Sequence, residues 1–449
     1  MVMKQYALSE LKNKISGEII TPADSAYDSL RSVFVRAGSP AIIVRPQSTA
    51  DVAVAIQFAR DNQLTLSVRS GGHAMTGLST NDGGLIIDLA HFNSVELLDA
   101  SRNLVRIGAG ARWGDAAQAL AEHGLAISSG DTTSVGVGGL TLGGGIGWMV
   151  RKNGLTIDSL EAAEIVLADG RCLRVSTLEH PELFWAIRGG GGNFGVVTSL
   201  EFCADSVRDI FGGMVIYNIA DYQSVLTGWV AAMESAPEEL NSTLIVFPGM
   251  GPEPVPMLMV LLCYAGDDEA AAKAAIQPLL ELASPQHHDV QRKPYYQMLE
   301  DAAPPPGVKS VTQNGFIKEF SPEVIDTLLT HYGKVGTAIL QIRKLGGAVN
   351  SVAPDATAFA HRDYSAFILA ASLMPATTPA DQAEQIRQVH WQPLKPLVSG
   401  AYVNFLTDVG EESLAAAYPA VTRARLAAVK ATYDPQNVFN QNLNIKPGR

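Results

Sequence analysis

The chain is poor in cysteine, in positive charge and in long apolar runs. Only Cys172, Cys203 and Cys263 occur in 449 residues. They lie far apart, which argues against a disulfide framework and for a reduced, cytoplasmic setting. Lys and Arg total 33 against 45 Asp and Glu, a net charge of −12. Nucleic acid and anionic membrane both demand clustered cations, so neither is expected as a partner. No apolar run approaches the length of a bilayer span, and Met1 to Leu11 holds no apolar core of a secretory signal. Internal repeats and low-complexity tracts are missing too. What remains is 47% hydrophobic and 17% charged, the balance of a well-packed globular chain. Its length exceeds one ordinary core, so two lobes are expected.

The local patterns mix helices with short strands. Ser48 or Thr49 can cap a helix with Val52, Ile56 and Ala59 on its apolar face. Leu64–Val68, Gly84–Leu89 and Leu104–Gly108 read as strands, and Trp113–His123 as a helix stopped by Gly124. Further on, Thr243–Phe247, Met257–Tyr264, Ala338–Ile342 and Phe367–Ala371 read as strands, and Pro322–Tyr332 as a helix. Ala302–Gly307 reads as a surface loop, and Leu414–Tyr433 as one helix ended by Asp434-Pro435. The fold class is α+β rather than a βαβ alternation.

Glycine is concentrated in a few loops. Arg69-Ser70-Gly71-Gly72-His73-Ala74-Met75-Thr76 follows a strand and carries an imidazole at its tip. Gly130–Gly139, Gly143–Gly147 and Gly192–Val197 follow. Gly190–Gly195 fits GxGxxG, but it comes after a helix and before a strand, the reverse of a Rossmann turn. These glycines are either tight turns or the walls of one large dinucleotide site, whose main-chain amides could meet phosphates and ring edges. His73 would then be a nucleophile or proton carrier at its edge.

The order of these motifs resembles the FAD-linked oxidases of the vanillyl-alcohol-oxidase/PCMH fold. The resemblance rests on Ser70-Gly71-Gly72-His73, Val135–Gly139, Gly143–Gly147 with Arg151–Leu155, Asp158, and Pro181–Thr198. The tail Tyr402-Val403-Asn404-Phe405, Tyr433–Phe439, Asn442 and Asn444–Pro447 is similar to the berberine-bridge-like C-terminal signature. The resemblance implies a PCMH-type FAD-binding domain at 38–207. An N-terminal segment, 1–37, would pack on it, and a C-terminal segment, 401–449, would return to it. Residues 208–400 would form a substrate domain, an antiparallel sheet backed by helices.

It also implies roles. His73 takes the place of a histidine bonded to the flavin 8α carbon, which suits a neutral, nucleophilic imidazole. A second, cysteinyl bond is not expected, because Thr132 stands where relatives carry that cysteine. Cofactor contacts fall on Arg69, Ser70, Gly71, Gly72, Ala74, Gly77, Gly130, Thr132, Val135, Gly136, Gly138, Gly139, Gly143, Gly145, Gly147, Gly195, Val197, Asn442 and Asn444. The candidate catalytic residues are Tyr402 over the flavin, Val135, small enough to leave dioxygen room, and Asn404 as a positioning or flavin contact. No metal is expected: His287-His288 reads as surface loop, His361-Arg362 as structural, and Glu182 as a cap or ion-pair partner.

On the substrate side, neither alternate set of the strand after His361-Arg362 carries a base: Ile368, Ala370, Ser372 on one, Phe367, Leu369, Ala371 on the other. That predicts an apolar pocket, with Gln341 and Arg343 as its candidate polar liners. The expected activity is oxidation of a CH–NH or CH–OH group of a small, hydrophobic substrate, with O2 returning the flavin to its oxidised state and yielding H2O2. A dehydrogenase, an oxidative cyclase of secondary metabolism and a flavin carrier without turnover are the alternatives. The chain is expected to act as a monomer or homodimer.

Overall fold

The computed structural model describes residues 5–249, 253–301 and 307–448. Three main sheets organise them. The first runs Glu18–Ile20, Ile42–Arg45, Leu85–Asp88, Leu66–Arg69, and its last three strands are parallel. Ile42, Ile43 and Val44, like all of Leu85–Asp88, are buried, as strands covered on both faces must be. The parallel connection crosses over through the helix Thr49–Asp61, capped by Ser48 Oγ accepting from the Asp51 N–H at 3.1 Å.

The second sheet is antiparallel, in the order Cys172–Ser176, Leu160–Val166, Val196–Cys203, Leu104–Gly108, Val95–Asp99. Both sheets share one core with helices Thr49–Asp61, Trp113–Ala121 and Pro181–Ile187 and with the tail residues Leu426, Phe439 and Ile445.

The third sheet is antiparallel and runs His287–His288, Asp209–Tyr217, Met257–Tyr264, Leu240–Phe247, Ile339–Lys344, Ala366–Pro375, Val308–Ile317. Strand period two divides its side chains. Leu340, Ile342, Ile368 and Ala370 pack on helices Tyr222–Ser235, Glu269–Leu280, Pro322–His331 and Ala380–Trp391. Phe316, Phe367 and Leu369 face the other way, onto Ile146, Phe359 and Tyr402. The sheet thus turns one face to its helices and the other to the glycine segments.

Two local readings are corrected. Leu414–Tyr433 is two helices, Glu411–Ala417 and Ala420–Tyr433. Pro419 forces Tyr418 out of helical geometry and starts the second helix from its cap position. His287–His288 is a short edge strand rather than a loop, paired with Val215 and Ile216 but exposed. Residues 302–306 of the expected Pro-rich loop lie outside the described residues. Among the described residues, no helix is long and apolar enough to cross a membrane.

Candidate functional site

A cavity of about 460 Å³ opens between the glycine loops, the C-terminal tail and the helix-free face of the third sheet. Its wall begins where Leu66–Arg69 ends. Ser70 Oγ donates to Ala109 O at 2.5 Å, and a Cβ on Gly71 would collide with Gly136 N. The His73 loop and the Val135–Gly139 segment therefore approach backbone to backbone, which only glycine permits at 71 and 136. Gly139 and Gly192 have open space where a side chain would stand, so both leave a cradle for a ligand.

His73 lines this cavity, stacked on Phe34 with ring centroids 4.6 Å apart and planes at 21°. Burial, then the Arg112 guanidinium, hold its pKa below the ordinary imidazole range, against a weaker pull from Asp301. The ring is therefore neutral and nucleophilic at neutral pH.

Opposite lies Tyr402, 2% exposed, among the rings of Phe359, Phe367 and Phe405. Its phenolic oxygen accepts from the Gly145 N–H at 2.8 Å and from Asn404 Nδ2 at 2.7 Å. Burial pushes its pKa up to about 12, against those two donors. Asn404 also donates to Leu140 O at 3.1 Å, and a Cβ on Gly143 would collide with its amide. Asn314, which the sequence did not single out, clamps the Tyr402 backbone: Oδ1 accepts from its N–H at 2.7 Å and Nδ2 donates to its carbonyl at 3.3 Å.

Gln341 and Arg343 line the cavity from the third sheet, beside Leu369. Arg343 pairs with Asp131 of the glycine loop at 2.6 Å and donates to Gln341 Oε1 at 3.0 Å. No signal in the sequence linked Asp131, in a loop, to Arg343 on the third sheet.

The tail closes the remaining wall. Lys430, fully buried, pairs with Asp434 at 2.7 Å and donates to Asn193 O and Phe439 O. Asn193 Oδ1 accepts from the Ile445 N–H at 3.0 Å, and Asn442 Nδ2 donates to Gly192 O at 3.2 Å. Phe439, Gln441, Asn442 and Leu443 then face the cavity. Asn442 Oδ1 is buried there without a partner, an acceptor left for a ligand donor.

Of the residues singled out from sequence, His73, Ser70, Gly71, Gly72, Ala74, Gly130, Thr132, Val135, Gly136, Gly138, Gly139, Gly143, Gly195, Val197, Tyr402, Asn404 and Asn442 all line the cavity. Arg69, Gly77, Gly145, Gly147 and Asn444 do not. Arg69 is turned away to Asp88 Oδ2 at 2.8 Å and Leu30 O at 2.5 Å. Gly77 turns the chain at φ +70 beside Arg36. Gly145 acts through its N–H on Tyr402, and Gly147 packs on Ser129 and Gly130. Asn444 leaves Oδ1 buried and unpartnered behind the lining residues. His361 and Arg362 are structural: His361 Nε2 meets Ala417 O at 3.0 Å, and Arg362 grips both Asp158 oxygens at 2.7 and 2.8 Å. Glu182 pairs with Arg425 at 2.7 Å. Among the described residues no His, Cys, Asp and Glu cluster could hold a metal.

A glycine-walled cavity of this size, faced by an imidazole and a phenol, suits a large polar ligand such as a dinucleotide cofactor. The FAD binding domain family matches residues 40–176, and the family described as berberine and berberine like matches 401–446. The chain is 32% identical over 454 residues to the uncharacterised FAD-linked oxidoreductase YgaK of Bacillus subtilis, covering 98% of each. It is 30% identical to (R)-6-hydroxynicotine oxidase of Paenarthrobacter nicotinovorans, covering 96% of this chain and 97% of that one. The solved glucooligosaccharide oxidase of Acremonium strictum, with a 6-S-cysteinyl, 8α-N1-histidyl FAD, superposes with a TM-score of 0.86 at 25% identity, over 98% of this chain and 99% of that one. The chain belongs to the berberine-bridge-like FAD-linked oxidoreductases of the PCMH fold.

Proposed function

We propose that this enzyme is an oxidase with FAD attached through His73 alone, removing two electrons from a CH–NH or CH–OH group of a small, hydrophobic substrate. The observation that carries this reading is that one cavity joins His73 to Tyr402. The donor set suits FAD: the open cradles at Gly139 and Gly192 and the orphaned Asn442 oxygen await a large polar ligand. Attachment is supported by the neutral His73 imidazole and by the histidyl link in the glucooligosaccharide oxidase. A single bond is supported by Thr132 and by the positions of Cys172, Cys203 and Cys263, none of which lines the cavity.

Bound FAD supplies the acceptor for the electron pair, which dioxygen removes as hydrogen peroxide. The chain supplies position. Both acceptor lone pairs of the Tyr402 oxygen are used by Gly145 and Asn404, so its own O–H is free for the substrate nitrogen or oxygen. With its pKa near 12 the phenol stays protonated at neutral pH and holds that atom in place as a donor; an amine substrate leaves as its iminium with its N–H kept, and an alcohol passes its O–H proton to water. Leu369, Phe405 and Ile146 exclude water, while the Arg343–Asp131 pair and Gln341 offer polar contacts at one end. The FAD-holding unit comprises 38–207 and 401–449, with 1–37 packed on it and 208–400 as the substrate unit. The core shared by Leu11, Ile56 and Phe439 supports that division.

The test is peroxide release from a panel of cyclic amines, secondary alcohols and sugars, with photoreduced enzyme mixed with oxygen in a stopped flow. Rapid return of the oxidised spectrum with peroxide is expected. Reduced flavin that persists in oxygen but yields to an artificial acceptor would make the enzyme a dehydrogenase.

A further inference from the structure

Phe34 sits at the tip of a hairpin, between the two-residue strands Ser32–Val33 and Arg36–Ala37. The hairpin is tied down on both sides. Arg69 Nη1 donates to Leu30 O and, at 3.3 Å, to Ser32 O. Arg36 pairs with Asp82 at 2.9 Å, and the Phe34 N–H donates to Gly72 O at 3.0 Å. Gly72, at φ +73, brings that carbonyl round to the hairpin. Phe34 is therefore a fixed wall of the cavity, hydrogen-bonded to the residue next to His73.

The imidazole itself is weakly held. Among the described residues its ring makes no hydrogen bond, and Arg112 and Asp301 act on it through charge. The stack on Phe34, at 4.6 Å and 21°, is its one directional contact among those residues. A stack of this kind fixes the ring plane and leaves both nitrogens on the edge. An imidazole that must attack a particular carbon needs its plane set and its nitrogens free.

We propose that Phe34 is the positioning residue that orients His73 for attachment to the flavin; the role rests on the attachment at His73 proposed above. In that step a bond forms between an imidazole nitrogen and the flavin 8α carbon. The methyl C–H and the imidazole N–H are lost, and their protons and the electron pair pass to the ring system. Dioxygen then removes that pair as hydrogen peroxide. Phe34 touches neither the substrate nor the proton; it lowers the entropy of the attacking ring.

The sequence signal was slight. Nothing in the spacing of Phe34 and His73, 39 residues apart, pairs them, and Arg69 looked like a cofactor contact when its work is to anchor the hairpin.

The test follows acid-stable flavin against time when apo-rich enzyme, prepared from flavin-limited cells, is given FAD in air. Phe34→Leu, Phe34→Ala and Phe34→Tyr are compared with wild type, and reversible FAD binding is measured alongside. Phe34→Leu and Phe34→Ala are expected to bind FAD yet attach it about tenfold to a hundredfold more slowly. Phe34→Tyr, which keeps the stacking face, is expected to restore the rate. Equal rates in wild type and Phe34→Ala would overturn the role of Phe34 alone, as would loss of all flavin binding in both Phe34→Leu and Phe34→Ala. A wild-type protein that never gains acid-stable flavin would overturn the attachment and this role together.

Discussion

Asn404 Nδ2 donates to the phenolic oxygen of Tyr402 at 2.7 Å, and the Gly145 N–H donates to the same atom at 2.8 Å. The two donors come from distant parts of the chain, one from the tail and one from the glycine segment, which pack together here. They fix the direction in which the phenol presents its own proton. Tyr402→Phe is expected to lower kcat by about 10²-fold or more, the range for losing a proton-bearing group at the reacting atom. Asn404→Ala is expected to lower kcat/KM by roughly tenfold, as a lost hydrogen bond of about 1–2 kcal/mol would. Donation to the oxygen favours its ionised form, so removing Asn404 raises the Tyr402 pKa further. Any alkaline limb due to Tyr402 ionisation should therefore move to higher pH in Asn404→Ala. Steady-state kinetics across pH check both.

Val135 lines the cavity between Thr132 and Gly136, its carbonyl accepting from the Trp113 N–H at 2.9 Å. If its small side chain leaves dioxygen its path, Val135→Leu slows reoxidation of the reduced flavin by about tenfold, a barrier of about 1.4 kcal/mol. Reduction by substrate should be unchanged. Separate stopped-flow measurements of the two half-reactions decide it.

The N-terminal segment is tied to the first core by one buried carboxylate. Asp51 accepts from Ser16 N at 3.0 Å, Ser16 Oγ at 2.9 Å, Gly17 N at 3.1 Å and Gln47 N at 3.0 Å. Burial pushes its pKa up, but these donors outweigh it and hold the pKa below the ordinary value. A carboxylate depressed in the folded state stabilises above its unfolded pKa of about 3.9 and loses that contribution as pH falls through the folded value. Asp51→Asn is expected to cost about 1–3 kcal/mol at neutral pH. Its difference from wild type should shrink in acid. Thermal unfolding at pH 7 and near pH 3 checks the sign.

Local signals were legible in the sequence wherever the chemistry is written within a few residues. The break from Leu66–Arg69 into Ser70-Gly71-Gly72-His73 and the helix cap at Ser48 are of this kind, and the structure shows the strand and the helix there; Tyr402 and Asn404, singled out by their tail motif, line the cavity from a short turn that no pattern announced. Side-chain alternation left open which set of Ala366–Pro375 faced the cavity. The register with Ile339–Lys344 settles it, because Leu369 pairs with Gln341 and Phe367 with Arg343. Contacts between distant elements were not legible. Asp131 with Arg343, Asn314 with Tyr402 and Phe34 with His73 each join segments whose separation carries no period. Pro419 was a readable break, missed because the helical pattern resumes directly after it.

Acid precipitation reads the bond between His73 and the flavin directly. Wild-type enzyme, purified and denatured in acid, should give a yellow pellet whose flavin stays with the peptide that carries His73. His73→Ala should release all of its flavin to the supernatant. A colourless wild-type pellet, or flavin retained by His73→Ala, would contradict the account.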